Sequence, residues 1–87
     1  MEEKLEMETG YVVFSLKPGE KKEFILKIRK INLVKEARLV LGNWDAIARV
    51  EAEDVEELEK AYFNEIDKIP GITYSRLYIR ACPRTRK

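Results

Sequence analysis

The residues that bring the most chemistry together are Gly42-Asn43-Trp44-Asp45. Gly42 permits a backbone shape that other residues resist. An open glycine turn leaves backbone N–H and C=O groups free to hold the charged ends of a small molecule. Asp45 has a carboxylate to accept from an ammonium, and Trp44 has a ring to cover an apolar side chain. A free amino acid presents those three features. The plainer reading is a hairpin turn in which Asp45 bonds its own backbone. On local sequence alone the plainer reading is the stronger.

Other chemistry is thinner. The chain has no histidine, which removes the most common general base and metal ligand. Its one cysteine, Cys82, allows neither an intrachain disulfide nor a cysteine-based zinc site. Beside Pro83 it reads as a small residue ending a strand. The acidic run Glu51, Glu53, Asp54, Glu56, Glu57, Glu59 is spread around a helix start, where acids favour the dipole. No metal, no cofactor and no nucleophile–base pair is expected.

Positioning that turn falls to a single domain of 87 residues. Hydrophobic residues make up 45% and charged residues 38%, too apolar for a disordered chain. With 17 Lys+Arg against 16 Asp+Glu, bulk charge does not point to nucleic acid. No apolar run approaches the roughly 20 residues needed to span a membrane, and the acidic N-terminus lacks the apolar stretch of a secretory signal. A cytoplasmic protein is expected. The absence of glutamine beside abundant Glu and Lys is a bias seen in thermophilic proteins.

Six elements follow. Tyr11–Leu16 reads as a strand ended by Pro18-Gly19. Glu20–Ile31 carries a helical stripe at Phe24, Ile28 and Ile31, stopped near Asn32. Val34–Leu41 and Asp45–Ala52 read as strands around the Gly42-Asn43 turn. Asp54 and Glu57 form a capping box for a helix with Val55, Leu58, Tyr62, Ile66 and Ile69 as its stripe. Pro70-Gly71 stops it, and Ile72–Ala81 is the last strand. Laying Lys30–Leu41 on Lys68–Ile79, an offset of 38 residues, matches Phe24 to Tyr62, Ile28 to Ile66 and Ile31 to Ile69. Two such halves predict an α+β, ferredoxin-like βαββαβ sandwich: a four-stranded antiparallel sheet with two helices on one face. Residues 1–9 are set apart as an acidic extension, 10–82 as the domain, and 83–87 as a basic tail.

Alternation assigns the faces. Val12, Phe14, Leu16, Leu39, Leu41, Leu77, Ile79 and Ala81 are expected to face the helices. Tyr11, Val13, Arg38, Val40, Tyr74, Arg76 and Tyr78 are expected on the open face, with Ser15 and Arg80. Aromatic residues and Arg are enriched at protein interfaces, and an uncovered patch of this kind seldom faces water. A homodimer through this face is the favoured reading. RNA binding is the rival, but Trp44–Ala52 lacks the Gly-aromatic run of an RNA-recognition strand. Leu26 and Phe63 lie at the edges of their helical stripes, where they flank the core or meet another dimer.

The stretch from Val34 to Ile79 resembles the amino-acid-binding (RAM) domain of the Lrp/AsnC family. The matching residues are Gly42-Asn43-Trp44-Asp45, Ala48-Arg49-Val50, Asp54 through Leu58, Lys68-Ile69-Pro70-Gly71-Ile72 and Ser75-Arg76. The resemblance covers about residues 10–81. Departures fall at Leu41, Trp44 and Leu77, and at Asn32-Leu33 in place of Pro-Gly; they bear on the ligand more than on the fold. The resemblance implies an amino acid effector bound by Gly42, Asn43, Trp44 and Asp45 at a seam between dimers, and an octamer-like ring. It also implies mixing with full-length regulators of amino-acid metabolism. Full-length members resemble a helix-turn-helix joined to this domain. The residues before Tyr11 cannot build a recognition helix, so direct DNA binding is not expected. Alternatives are a small ferredoxin-like dimeric enzyme and an ACT-type regulatory domain, which shares the βαββαβ order.

Overall fold

In a computed structural model of the protein, residues 7–80 are described. β1 (Glu8–Leu16), α1 (Lys21–Ile28), β2 (Val34–Leu39), β3 (Ala46–Ala52), α2 (Val55–Asn64), a 3₁₀ turn (Ile66–Lys68) and β4 (Ile72–Ile79) follow in that order. The sheet order is β2-β3-β1-β4, with each neighbouring pair antiparallel. This is the ferredoxin-like sandwich that the pattern of the sequence predicts. Cys82, Ala81 and the basic tail lie outside the described residues.

One side chain in two along each central strand builds the core. Val12, Phe14 and Leu16 of β1 and Ala46, Ala48, Val50 and Ala52 of β3 are buried with Phe24, Ile25 and Ile28 of α1 and Leu58 and Tyr62 of α2. The alanines of β3 leave room for the larger side chains. Phe14 and Phe24 fill part of it edge to face, with ring centroids 4.7 Å apart. Ile66 and Ile69 complete the core from beyond α2.

α2 is capped where the sequence places its start. Asp54 Oδ1 accepts from the Glu57 N–H at 2.8 Å, and Glu57 Oε1 accepts from the Glu53 N–H at 2.9 Å. The return bond therefore reaches one residue before the cap. The Tyr62 hydroxyl donates to Ser75 at 2.7 Å, and Ser75 donates to Asp67 at 2.8 Å, tying α2 and the 3₁₀ turn to β4.

Several boundaries differ from expectation. β1 begins at Glu8, because Glu8, Thr9 and Gly10 find partners in Ala52, Glu51 and Val50. α1 ends at Ile28 with Arg29 as its C-cap, ahead of Asn32; Ile31 still packs on the core. Val55, the first residue of α2, is exposed. β2 stops at Leu39, so Leu41 lies in the turn, 98% exposed, rather than in the core. Leu39 is 46% exposed because β2 is an edge strand. Arg29 covers one acceptor of that edge: its Nε and a terminal nitrogen donate to the Ala37 carbonyl at 3.3 and 2.8 Å.

Candidate functional site

Three connections meet at one end of the sheet. The main-chain N–H of Asp45 donates to the Phe14 carbonyl at 2.8 Å, and its carbonyl accepts from Val40 N–H at 2.9 Å, closing the β2–β3 turn. Lys17 N–H donates to the Gly71 carbonyl at 2.8 Å, bringing the β1–α1 and α2–β4 connections together.

The Asp45 side chain does something that the local sequence did not reveal. The β1–β3 ladder ends at Phe14–Ala46. Past it, Asp45 Oδ2 accepts from the Leu16 N–H at 2.8 Å, prolonging the ladder with a side chain. The carboxylate is thus pinned across the sheet rather than bonded within its own turn. Its other oxygen, Oδ1, stands 3.6 Å from Lys21 Nζ at the start of α1.

Gly42 has φ 138, and a Cβ built on it would meet nothing within 4 Å. Backbone shape alone requires glycine there. Leu41, Gly42 and Asn43 are exposed, and Trp44 and Asp45 are half-buried. The Trp44 ring stacks on Tyr74 of β4, centroids 5.7 Å apart and planes within 16°. Trp44 therefore belongs as much to the open sheet face as to the turn.

On that face, register sets side chains in rows. Arg38, Ile47, Val13 and Arg76 share one row, and Glu36, Arg49, Tyr11 and Tyr78 the next. Val13 is only 7% exposed, shielded between Ile47 and Arg76. The Arg76 guanidinium lies 5.7 Å over the Tyr74 ring and donates to the Tyr74 hydroxyl at 2.6 Å. Tyr74 and Tyr78 raise its pKa further, so it is a fixed cation. Arg38 Nε donates to Glu36 at 2.5 Å, and Arg49 pairs with Glu51 and, at 3.7 Å, with Glu36. The bond from Arg38 is the main cause holding the Glu36 carboxyl below its usual range.

The structure brings exposed Gly42 and Asn43 and half-buried Trp44 and Asp45 into one turn. It puts Tyr11, Val13, Arg38, Tyr74, Arg76 and Tyr78 on one sheet face, with half-buried Val40 just past the end of β2. Sequence reasoning missed Ile47, Arg49, Glu36 and Glu51 as members of that face. The alternation of Ala46, Ala48, Val50 and Ala52 already implied the β3 members. Lys21 carried no local signal, since only the strand order sets α1 beside the turn. Among the described residues, no group of three or more His, Cys, Asp or Glu is placed to hold a metal. No helix among them is long and apolar enough to cross a membrane.

The family model for the Lrp/AsnC ligand binding domain matches residues 9–81. The chain belongs to this family. A hypothetical protein from Pyrococcus horikoshii is similar to the Lrp/AsnC domain described here at 28% identity, over 87% of this chain and 92% of that one, with a TM-score of 0.80. A protein from Thermus thermophilus matches at 28% identity over 90% of this chain and all of that one, TM-score 0.80. A Neisseria meningitidis transcriptional regulator solved as an L-Met complex shares the fold at 11% identity and TM-score 0.77; the match covers 91% of this chain and 53% of the regulator. No curated protein matches the chain. The family model makes this a ligand-binding domain of the Lrp/AsnC type rather than an enzyme.

Proposed function

We propose that the domain senses a free amino acid at the Gly42–Asp45 turn and self-associates through its open sheet face, modulating regulators of amino-acid metabolism. The observation that carries this reading is the turn itself. A positive-φ glycine in open space sits beside a carboxylate already anchored by Leu16. Exposed amides can take a ligand carboxylate, and Asp45 Oδ1 an ammonium. The turn is too shallow to enclose a ligand, and binding sites usually enclose most of theirs. A second dimer closing over it supplies the missing wall and leads to a ring. Occupancy and assembly then strengthen each other. A regulator that shares this fold over 53% of its length is solved as an L-Met complex, which supports a free amino acid as the ligand class.

The open face suits a second copy. Tyr11, Ile47, Tyr74 and Tyr78 are exposed apolar surface, and the Arg and Glu rows supply both signs for self-complementary pairing. Association with full-length regulators through the same face is part of the reading. Among the described residues α1 and α2 are separated by two strands, so they form no helix-turn-helix.

Two measurements test this. Thermal-shift screening of the twenty amino acids is expected to find at least one that raises the melting temperature, since a ligand stabilises by RT ln(1 + [L]/Kd). Light scattering at micromolar concentration is expected to give a mass well above the 10.2 kDa of one chain. Tyr78→Glu is expected to return it to one chain by burying an unpaired charge in the seam. A wild-type monomer sinks the assembly reading.

A further inference from the structure

An amino acid carries its ammonium and its carboxylate on one carbon. A site that recognises both needs an anion and a cation close together, each reachable from solvent. Asp45 and Lys21 are such a couple: Oδ1 and Nζ are 3.6 Å apart, and the side chains are 33% and 44% exposed. That separation is beyond the roughly 2.7–3.2 Å of a direct N–H···O bond. The two attract each other without being locked together. Asp45 is not free to turn away, because Leu16 N–H holds Oδ2. Its remaining oxygen faces the lysine beside the exposed Gly42 turn.

Asp45 by itself favours any amine. It would take an amine, an amide or an ester of an amino acid as well as the free acid, and its negative field opposes a ligand carboxylate. Lys21 reverses that opposition. When a ligand ammonium takes Oδ1, the lysine head is released beside the ligand carboxylate, and one internal ion pair becomes two charge-assisted contacts.

We propose that Lys21 is the residue that selects the α-carboxylate and restricts the ligand class to free amino acids. This rests on the effector-site reading above and deepens it. Lys21 lies in the first turn of α1, 24 residues from Asp45 in sequence, and only the fold pairs them.

The test screens the twenty free L-amino acids one at a time by thermal shift on the wild-type chain. Calorimetry then compares every stabilising acid with its own carboxamide, on wild type, Lys21→Met, Lys21→Arg and Lys17→Met. Wild type is expected to prefer the acid by about ten-fold or more, the scale of one lost charge-assisted bond. Lys21→Met is expected to bring the ratio near one by weakening the acid alone, while Lys21→Arg keeps the preference. Lys17→Met removes the same charge from the neighbouring turn, outside the Asp45 ion pair, and is expected to leave the ratio unchanged. Lys21→Met is expected to melt close to wild type, because exposed ion pairs contribute little. An undiminished ratio in Lys21→Met overturns the proposal while the effector reading stands, and so does an equal loss in Lys17→Met. If no free amino acid stabilises wild type, the effector reading fails and the proposal fails with it.

Discussion

Of the three positive-φ glycine turns at the same end of the sheet, at Gly19, Gly42 and Gly71, the last two are built on opposite terms. Gly42 has φ 138 and Gly71 has φ 99, so both backbones resist a side chain. Around Gly42 a Cβ would meet nothing within 4 Å. At Gly71 it would lie 2.9 Å from Glu20 Oε1 and 3.2 Å from Glu20 Cβ. The Gly71 carbonyl also accepts from Lys17 N–H at 2.8 Å. One glycine closes a packed corner, and the other leaves space unfilled. A turn that the fold does not need for packing is available for a ligand.

The sharpest way to break this contrast is Gly71→Val. Backbone strain costs ~1–3 kcal/mol at either turn, and here the clash with Glu20 adds to it. A domain of this size loses about 4–8 °C of melting temperature per kcal/mol. Gly71→Val is therefore expected to lower the midpoint by several degrees, and by more than Gly42→Val does, in a calorimetric scan. A loss no greater than that of Gly42→Val would mean that the two turns are not different in kind.

Asp45→Ala is next. It orphans the Leu16 N–H, at about 1–3 kcal/mol for a buried donor and toward the low end in this part-exposed place. Asp45→Asn keeps an acceptor for that bond and is expected to melt near wild type while losing affinity for whichever amino acid the screen identifies. Equal melting losses in the two variants would show that charge, not the Leu16 bond, holds the turn. Gly42→Val is expected to lose stability through backbone strain alone, melt above Gly71→Val, and bind the effector at least ten-fold more weakly.

The smallest effect belongs to Glu36. Its pKa is lowered, chiefly by its bond from Arg38. A lowered carboxylate contributes stability above its unfolded value, about 4.3, and loses it as pH falls through the folded value. Melting curves of wild type and Glu36→Gln are therefore expected to differ slightly at neutral pH and converge in acid. A gap that widens toward low pH would reverse the sign of this contribution.

The element order, the core stripe and the α2 capping box were legible in the sequence because each depends on residues within a few positions of one another. Ala46, Ala48, Val50 and Ala52 announce their strand by alternation alone. Leu41 misled because its apolar side chain and even spacing fit a strand that tertiary pairing ends at Leu39. The Gly42–Asp45 turn could be singled out, but not what Asp45 bonds to. Its partners Leu16 and Lys21 are distant in sequence, and strand order alone brings them close. The Trp44–Tyr74 stack was hidden for the same reason, since it spans from the β2–β3 turn to the far edge of the sheet.

Arg29 has a consequence for how copies of this chain can add to one another. The carbonyl it covers belongs to the outer edge of β2, where a foreign strand would otherwise pair. A strand laid along β2 would have to displace Arg29 or forgo the ladder bond at Ala37, so one buttoned acceptor makes that margin a poorer template for a second copy than a bare edge would be.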